Sequence, residues 1–283
     1  MKAKLVKADV SQFAAYQVIY RGADTELWFD WYERLEDSKW ATDQSFFLEI
    51  DGQKIGGAVI GSDYIWNAFL IPPFNDKMVF WEQLLKLTNP KTIYGVWDED
   101  KNTISMLDYK LINTKTRMVR PPEVVEQALE SGFSCHPING EIDTLAVAQV
   151  IQASFINGIV YEQNGVNTVD EVKDALESEL KDMDIKNMSH IIMEDCSKKI
   201  VATILAGIGP KNPLGFSFID KVAVHPEYRG KGLAKYLVNL VLTESVDVAP
   251  FVKLGLIVGN PAQRLYTKLG FMSGPNFSTF EKR

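Results

Sequence analysis

The sequence predicts an α/β protein built from two tandem copies of one fold, and three observations predict it. In residues 222–242 a β-rich segment passes through a basic, glycine-containing turn into an amphipathic helix. Segments of the first half return, in the same order, in the second. All six tryptophans, Trp28, Trp31, Trp40, Trp66, Trp81 and Trp97, lie in the first half, a composition shift that marks a domain boundary.

Length and composition agree with this division. A chain of 283 residues exceeds one typical domain, and 46% hydrophobic with 24% charged residues describes a soluble globular protein with a sizeable core. The start, Met1-Lys-Ala-Lys-Leu-Val-Lys-Ala-Asp9, has no apolar signal region, and no apolar run reaches the roughly 18 residues of a membrane span. Neither secretion nor a membrane partner is therefore expected, and the expected compartment is the cytoplasm. Cys135 and Cys196 show no C-x-x-C spacing, which argues against disulfides and zinc. His136, His190 and His225 show no metal-ligand spacing, so no metal is expected. Net charge is −7; residues 1–130 carry 15 Lys+Arg against 20 Asp+Glu and residues 131–283 carry 15 against 17. That balance argues against nucleic acid as a partner. It would attract a cationic acceptor such as an amine, although it serves solubility equally well.

The elements follow in order. Residues 49–60 read as strand, turn, strand, and residues 194–205 read the same way, with the spacing of Glu49 to Lys54 repeated in Glu194 to Lys199. Residues 68–74 lie without gaps on residues 222–228, pairing Pro72 with Pro226, and residues 106–112 echo residues 264–270. Paired prolines at Pro121 and Pro122 end an extended segment, and a short helical pattern leads to Gly132. The domains are accordingly 1–125 and 132–283. In the second, helical spacing covers residues 142–156, and Thr168 with Glu171 has capping-box spacing at the start of a further helix. Strands are expected at 190–193, 200–207, 216–224 and 251–258, with a final strand at 271–281.

The turn before the second half's main helix carries the chemistry. Leu233, Tyr236, Leu237, Leu240 and Val241 share one helix face, so the turn sits at the helix N-terminus, where unpaired N–H groups and the helix dipole favour an anion. Gly230 and Gly232 permit close approach of a phosphate, and Arg229 and Lys231 add positive charge. The alternative is a solvated basic cap. A second segment, Asn260-Pro-Ala-Gln-Arg-Leu-Tyr-Thr-Lys-Leu-Gly-Phe271, follows an apolar strand.

Together these two segments resemble the GCN5-related N-acetyltransferase (GNAT) family, over residues 132–283. The resemblance implies that each copy is a mixed, mostly antiparallel sheet flanked by helices. It implies an enzyme that transfers acetyl from acetyl-CoA to a primary amine, a small molecule or a peptide, by direct attack in a ternary complex. Val222, Ala223 and Val224 would meet the pantetheine arm, one N–H polarising the thioester carbonyl. Arg229, Gly230, Lys231, Gly232, Leu233, Ala234 and Lys235 would hold the pyrophosphate. Asn260 matches the family's CoA-contacting Asn, and Tyr266 its general acid. The Glu that some members place five residues before the Asn is Gly255 here, so the base stays open. Asp220, on the strand leading to Val222, is a candidate for it, or else an exposed strand-end carboxylate. Tyr161 and Glu162, in the loop after the first helix, are candidate acceptor contacts or simply solvated. His225, just before Pro226, is expected to face solvent.

The same reading makes the first copy degenerate. Residues 75–80 fall opposite 229–234, so Met78 and Phe80 replace small residues and Asp76 sets a negative charge against a phosphate, while Asp108 falls at the Tyr266 position. A non-catalytic CoA-binding or sensing module, and an acyltransferase taking a longer acyl group, are the rival readings. Oligomeric state is not legible.

Overall fold

Strands and helices pair as the sequence predicts, twice over, in a computed structural model of the chain, which describes residues 2–21, 43–138, 142–156, 158–164, 167–181, 188–209 and 215–283. Trp28, Trp31 and Trp40 lie outside the described residues. Two units result: unit 1 is Met1–Arg117 with Gly274–Arg283, and unit 2 is Met118–Ser273.

Unit 1 begins with strand β1 (Ala3–Lys7), helix α1 (Val10–Tyr20), β2 (Ser45–Ile50), β3 (Gln53–Ile60) and β4 (Tyr64–Leu70). Helix α2 (Lys77–Thr88), β5 (Thr92–Trp97), α3 (Lys101–Met106) and β6 (Tyr109–Arg120) follow. Strands β1 to β4 pair antiparallel in sequence order, and β4 then pairs β5 in parallel. The Asp51-Gly52 turn between β2 and β3 has positive φ at both residues, and Glu49 lies opposite Lys54 as their spacing suggests. Adjacent residues of one strand serve different faces. Leu48 and Ala58 join the core under α2, with Phe80, Trp81 and Leu84, whereas Phe47 and Val59 pack with Phe13 of α1.

Unit 2 repeats this order. It holds β7 (Phe133–Pro137), α4 (Thr144–Phe155), α5 (Ile159–Asn164), α6 (Val169–Glu179), β8 (His190–Glu194), β9 (Ile200–Ile208) and β10 (Ser217–Val224). Helix α7 (Leu233–Glu244), β11 (Val252–Ile257), α8 (Gln263–Lys268) and the last strand, β12 (Met272–Lys282), complete the chain. Strands β7 to β10 are antiparallel neighbours, and β10 pairs β11 in parallel, the same topology as β1 to β5. Ile204 and Ala206 pack with Leu237 and Val241 of α7, while Leu205 between them packs with Val147 of α4 and Leu176 of α6. The capping box at Thr168 forms as its spacing predicts, the hydroxyl accepting from the Glu171 N–H and the Glu171 carboxylate accepting from the Thr168 N–H.

The structure corrects the sequence at several places. Residues 274–283, read as the end of the second domain, belong to unit 1: β12 pairs β5, with Phe277 opposite Trp97 and Phe280 opposite Ile93, and Phe280 is fully buried in the α2 core. The short helical pattern before Gly132 forms no helix, since residues 121–130 have no regular structure; with Pro121 and Pro122 at its start, the segment is fastened instead by side chains, Thr243 accepting from the Val125 N–H. The gapless match of the two halves also slips. Between strand and helix, β4 to α2 is shorter than β10 to α7, so the N-caps Asp76 and Gly232 correspond. The left-handed residues that follow α3 and α8 are Asp108 (φ 66°) and Gly270 (φ 83°), which places Ile104, not Asp108, opposite Tyr266.

Because every tryptophan lies in residues 1–117, their fluorescence reports unit 1. Phe280→Ala, near the C-terminus, is expected to destabilise the tryptophan-detected unfolding transition by about 3–5 kcal/mol, the usual cost of emptying a buried phenyl site. An unchanged transition in denaturant titration would remove residues 274–283 from unit 1.

Candidate functional site

The site in unit 2 is made by two strands that part. Strands β10 and β11 pair only at Ser217–Val252, Phe218–Lys253 and Ile219–Leu254. Past Ile219 the ladder with β9 shifts register at Asp220, a bulge that turns β10. Val222, Ala223 and Val224 stay paired to β9, opposite Ile204, Thr203 and Ala202. Their side towards β11 has no ladder, so backbone donors and acceptors there need another partner.

The turn that follows β10 is uncrowded, and its amides are unengaged. After a single helical turn at Pro226–Tyr228, Gly230 (φ 83°) and Gly232 (φ 74°) take left-handed conformations, and a Cβ on either would meet nothing within 4 Å. Gly232 caps α7 without any side-chain hydrogen bond. Among the described residues, the amides of Gly230, Lys231, Gly232, Leu233, Ala234 and Lys235 donate to no protein acceptor; the first α7 amide in use is that of Tyr236, to the Gly232 carbonyl at 2.9 Å. Leu233 contributes backbone only, because its side chain is core. Arg229 is held by the end of α4, its Nη2 donating to the Ser154 carbonyl at 2.7 Å, and Lys231 Nζ lies 3.7 Å from Glu130 Oε1. Lys235 is exposed.

Tyr266 comes to the same place. Its ring belongs to the cluster that contains Leu233 and Leu256 and packs Val222 and Val224, with Phe271 at 5.9 Å. Burial pushes its phenol up to about 12. Asn260 begins the turn before α8, its Oδ1 accepting from the Ala262 N–H at 2.9 Å and its carbonyl from the Gln263 N–H at 3.0 Å. Among the described residues its Nδ2 donates to no protein acceptor.

The candidate base is compromised. Asp220 is exposed, but its carboxylate is ion-paired with Lys221 Nζ, which also donates to both carboxylate oxygens of Glu179 on α6, at 2.7 and 2.9 Å. Burial pulls Lys221 down, but Asp220 and Glu179 outweigh it and leave the ammonium above its ordinary value. His225 does not face solvent as expected: it is half-buried, its Nδ1 is buried without a hydrogen-bond partner at 3.8 Å from the Glu227 carboxylate, and its backbone N–H donates to the Val201 carbonyl. Tyr161 and Glu162 are not in a loop, as the sequence suggests, but on the short helix α5, Tyr161 half-buried and Glu162 exposed. Helix α5 reaches the site through Ile159, whose Cδ1 would sit 3.3 Å from a Cβ on Gly259, next to Asn260.

The sequence missed Lys221, Glu179, Ser154 and Glu130. Asp220-Lys221 carried a signal, since two successive charged residues break strand alternation and mark a bulge. The other three act through contacts 42 to 101 residues distant in the chain, and no local pattern announces them. Among the described residues, no three His, Cys, Asp or Glu are grouped so as to hold an ion together.

Residues 160–271 match the family model described as the acetyltransferase (GNAT) family. The catalytic subunit NAA20 of the N-terminal acetyltransferase B complex of Arabidopsis thaliana is 31% identical over 84 residues, 29% of this chain and 48% of that protein. The chain thus spans about half the length of this curated relative. A GCN5-related N-acetyltransferase from Sphaerobacter thermophilus superposes with a TM-score of 0.66 at 17% identity, over 99% of this chain and 95% of that one. A tandem GNAT protein from the clavulanic acid biosynthesis pathway gives 0.57 at 12% identity, over 99% and 98%. At such identities the two structures share the fold, a tandem one along the whole chain.

Gly232→Asp tests the anion site. Asp tolerates the left-handed φ at a cost of about 1–2 kcal/mol, and the open space leaves the fold intact. Affinity for CoA, measured by calorimetric titration, is expected to fall at least about 10-fold, because a charge pair a few ångströms apart near a protein surface is worth more than 1.4 kcal/mol. Gly232→Asn, of equal size and no charge, should keep most of the affinity; equal losses in both variants would mean that charge is not what the turn recognises.

Proposed function

We propose that this chain, whose residues 160–271 match the acetyltransferase (GNAT) family, is such an acetyltransferase and acetylates an amine from acetyl-CoA in unit 2 alone. The observation that supports this most is the row of unengaged amides at Gly230 to Lys235 beside strands that part at Asp220. A pyrophosphate on those amides sets the pantetheine arm, an extended chain with amide groups, along Val222 to Val224, where it supplies the missing ladder partners. One N–H of that strand then polarises the thioester carbonyl. The amine attacks this carbonyl directly, the C–N bond forms as the C–S bond breaks, and CoA leaves as the thiolate or thiol.

Magnitudes decide what Tyr266 does. With its phenol at about 12, it presents an O–H throughout the physiological range. Against the roughly 8.5 of a thiol in water, complete proton transfer from this phenol to the departing thiolate runs uphill, by less than the aqueous difference because the same burial raises the thiol as well. Its role is therefore a hydrogen bond to the sulfur as charge develops there, and the proton that neutralises the thiolate comes from the acetylated ammonium.

The acceptor follows from the weakness of the base. With Asp220 tied to Lys221, the site favours an amine that is already partly neutral, such as a peptide α-amine near pKa 8, over a lysine-like amine near 10.4. The likeness to a catalytic subunit of an N-terminal acetyltransferase supports the same choice. Cys135 and Cys196 are unpaired, which suits the reducing cytoplasm. A non-catalytic CoA module is the second reading; a buried phenol packed with Val222 and Val224 beside the parted strands favours the enzyme.

Release of free CoA in the presence of an α-amino peptide is the assay. Tyr266→Phe is expected to lower kcat by about 10- to 100-fold, the worth of one hydrogen bond to a charged group, and to leave acetyl-CoA affinity unchanged. A larger loss, of about a thousand-fold or more, would restore full proton transfer to the phenol, and no loss would take Tyr266 out of the mechanism. In the wild type, kcat/KM should rise with pH towards the pKa of the acceptor and show no falling limb below about pH 10, because the phenol holds its proton there.

A further inference from the structure

Unit 1 has the same parted strands, and they are filled. Strands β4 and β5 pair at Tyr64–Thr92, Ile65–Ile93 and Trp66–Tyr94 and then separate, as β10 and β11 do after their third pair. The ladder of β4 with β3 shifts between Trp66 and Phe69, as that of β10 with β9 shifts at Asp220. By this register Asn67 matches Asp220 and Gly95 matches Gly255. Into the opening comes the side chain of Arg21, the residue that ends α1. Its Nη2 donates to the Gly95 carbonyl at 2.9 Å and its Nη1 to the Ala68 carbonyl at 3.3 Å, one carbonyl from each strand just past the last pair. The guanidinium carbon stands 4.8 Å from the centre of the Trp97 ring, and the residue is nine-tenths buried.

The surroundings are built to that shape. Gly95 has φ 68°, and a Cβ there would lie 3.0 Å from Arg21 Nη2 and 2.8 Å from Asn67 Oδ1. Asn67 is itself buried at φ 54°, with Oδ1 unpaired. Two residues in the left-handed region, one of them not glycine, cost free energy that a planar, two-pronged donor offsets. In unit 2 the residue that ends α4, in the place of Arg21, is the exposed Ile156, which donates nothing to a cleft.

We propose that the β4–β5 opening of unit 1 is a guanidinium-binding site whose permanent ligand is Arg21, standing where an acyl-CoA arm lies in a working copy. The comparison with an acyl-CoA arm rests on the function proposed for unit 2; the guanidinium site itself does not. It bridges the carbonyls that the parted strands leave unpaired, and it closes unit 1 to acyl-CoA independently of the turn before α2.

The full-length Arg21→Ala variant tests this without acetyl-CoA, so failure here and failure of the acetyltransferase reading are separate results. Unfolding is followed by tryptophan fluorescence, which reports unit 1. The variant is expected to lose roughly 5–10 °C in Tm. Methylguanidinium at about 10 mM, below denaturing strength, should restore part of that loss by binding the vacated site, while methylammonium at equal ionic strength should not, and neither should raise the Tm of the wild type. Arg21→Gln, which keeps a polar side chain, is the second variant should alanine prevent folding. Selective rescue by methylguanidinium in whichever variant folds supports the proposal. A variant as stable as the wild type, or one on which the two salts act alike, overturns it.

Discussion

Two parallel strands that pair for three residues and then part leave backbone N–H and C=O groups facing a gap, and a buried polar backbone group without a partner costs as much as a lost hydrogen bond. Both units contain this arrangement, at β4 with β5 and at β10 with β11. Something must fill each gap, and what fills it decides what the unit does. In unit 1 the filler is a side chain of the same chain, and in unit 2 the proposed function has a ligand with amides of its own supply it.

The helix that follows the fourth strand repeats the contrast. Helix α2 starts at Asp76, whose carboxylate accepts from the Val79 N–H at 3.0 Å, so the positive end already holds an anion. That cap stabilises the helix by about 1 kcal/mol. Helix α7 starts at Gly232, which gives up a side-chain cap and accepts a left-handed backbone, and its first amides stay unengaged. A protein selected only for stability would cap both helices. The uncapped one lies beside the parted strands and the buried phenol of Tyr266, and the function proposed for unit 2 rests on that coincidence.

Much of this was legible in the sequence, for physical reasons that can be named. Thr168 and Glu171 wrote their helix start into the chain because a capping box needs only residues three apart. The turn at Gly230 and Gly232 was legible because only glycine takes those conformations cheaply, and the tandem order because each copy repeats its local patterns. Contacts between distant segments were not. Residues 274–283 follow unit 2 in sequence, and nothing local says that Phe280 buries itself beside Ile93 in unit 1. The gapless match of the halves failed at the loop before α2, which is shorter than the one before α7 and ends in Asp76, whose own carboxylate caps the helix. Lys221 escaped notice because a charged residue next to a charged residue reads as surface until Glu179 closes over it. Arg21 escaped because the last residue of a helix looks solvated until β4 and β5 are known to part beneath it.

The account stands on an asymmetry between two copies of one fold, and stoichiometry tests it most directly. Calorimetric titration of the full chain with acetyl-CoA should give one site per chain. Two sites would show that neither Arg21 nor Asp76 closes unit 1, and no binding would contradict the reading of the Gly230 to Lys235 turn as the seat of the donor.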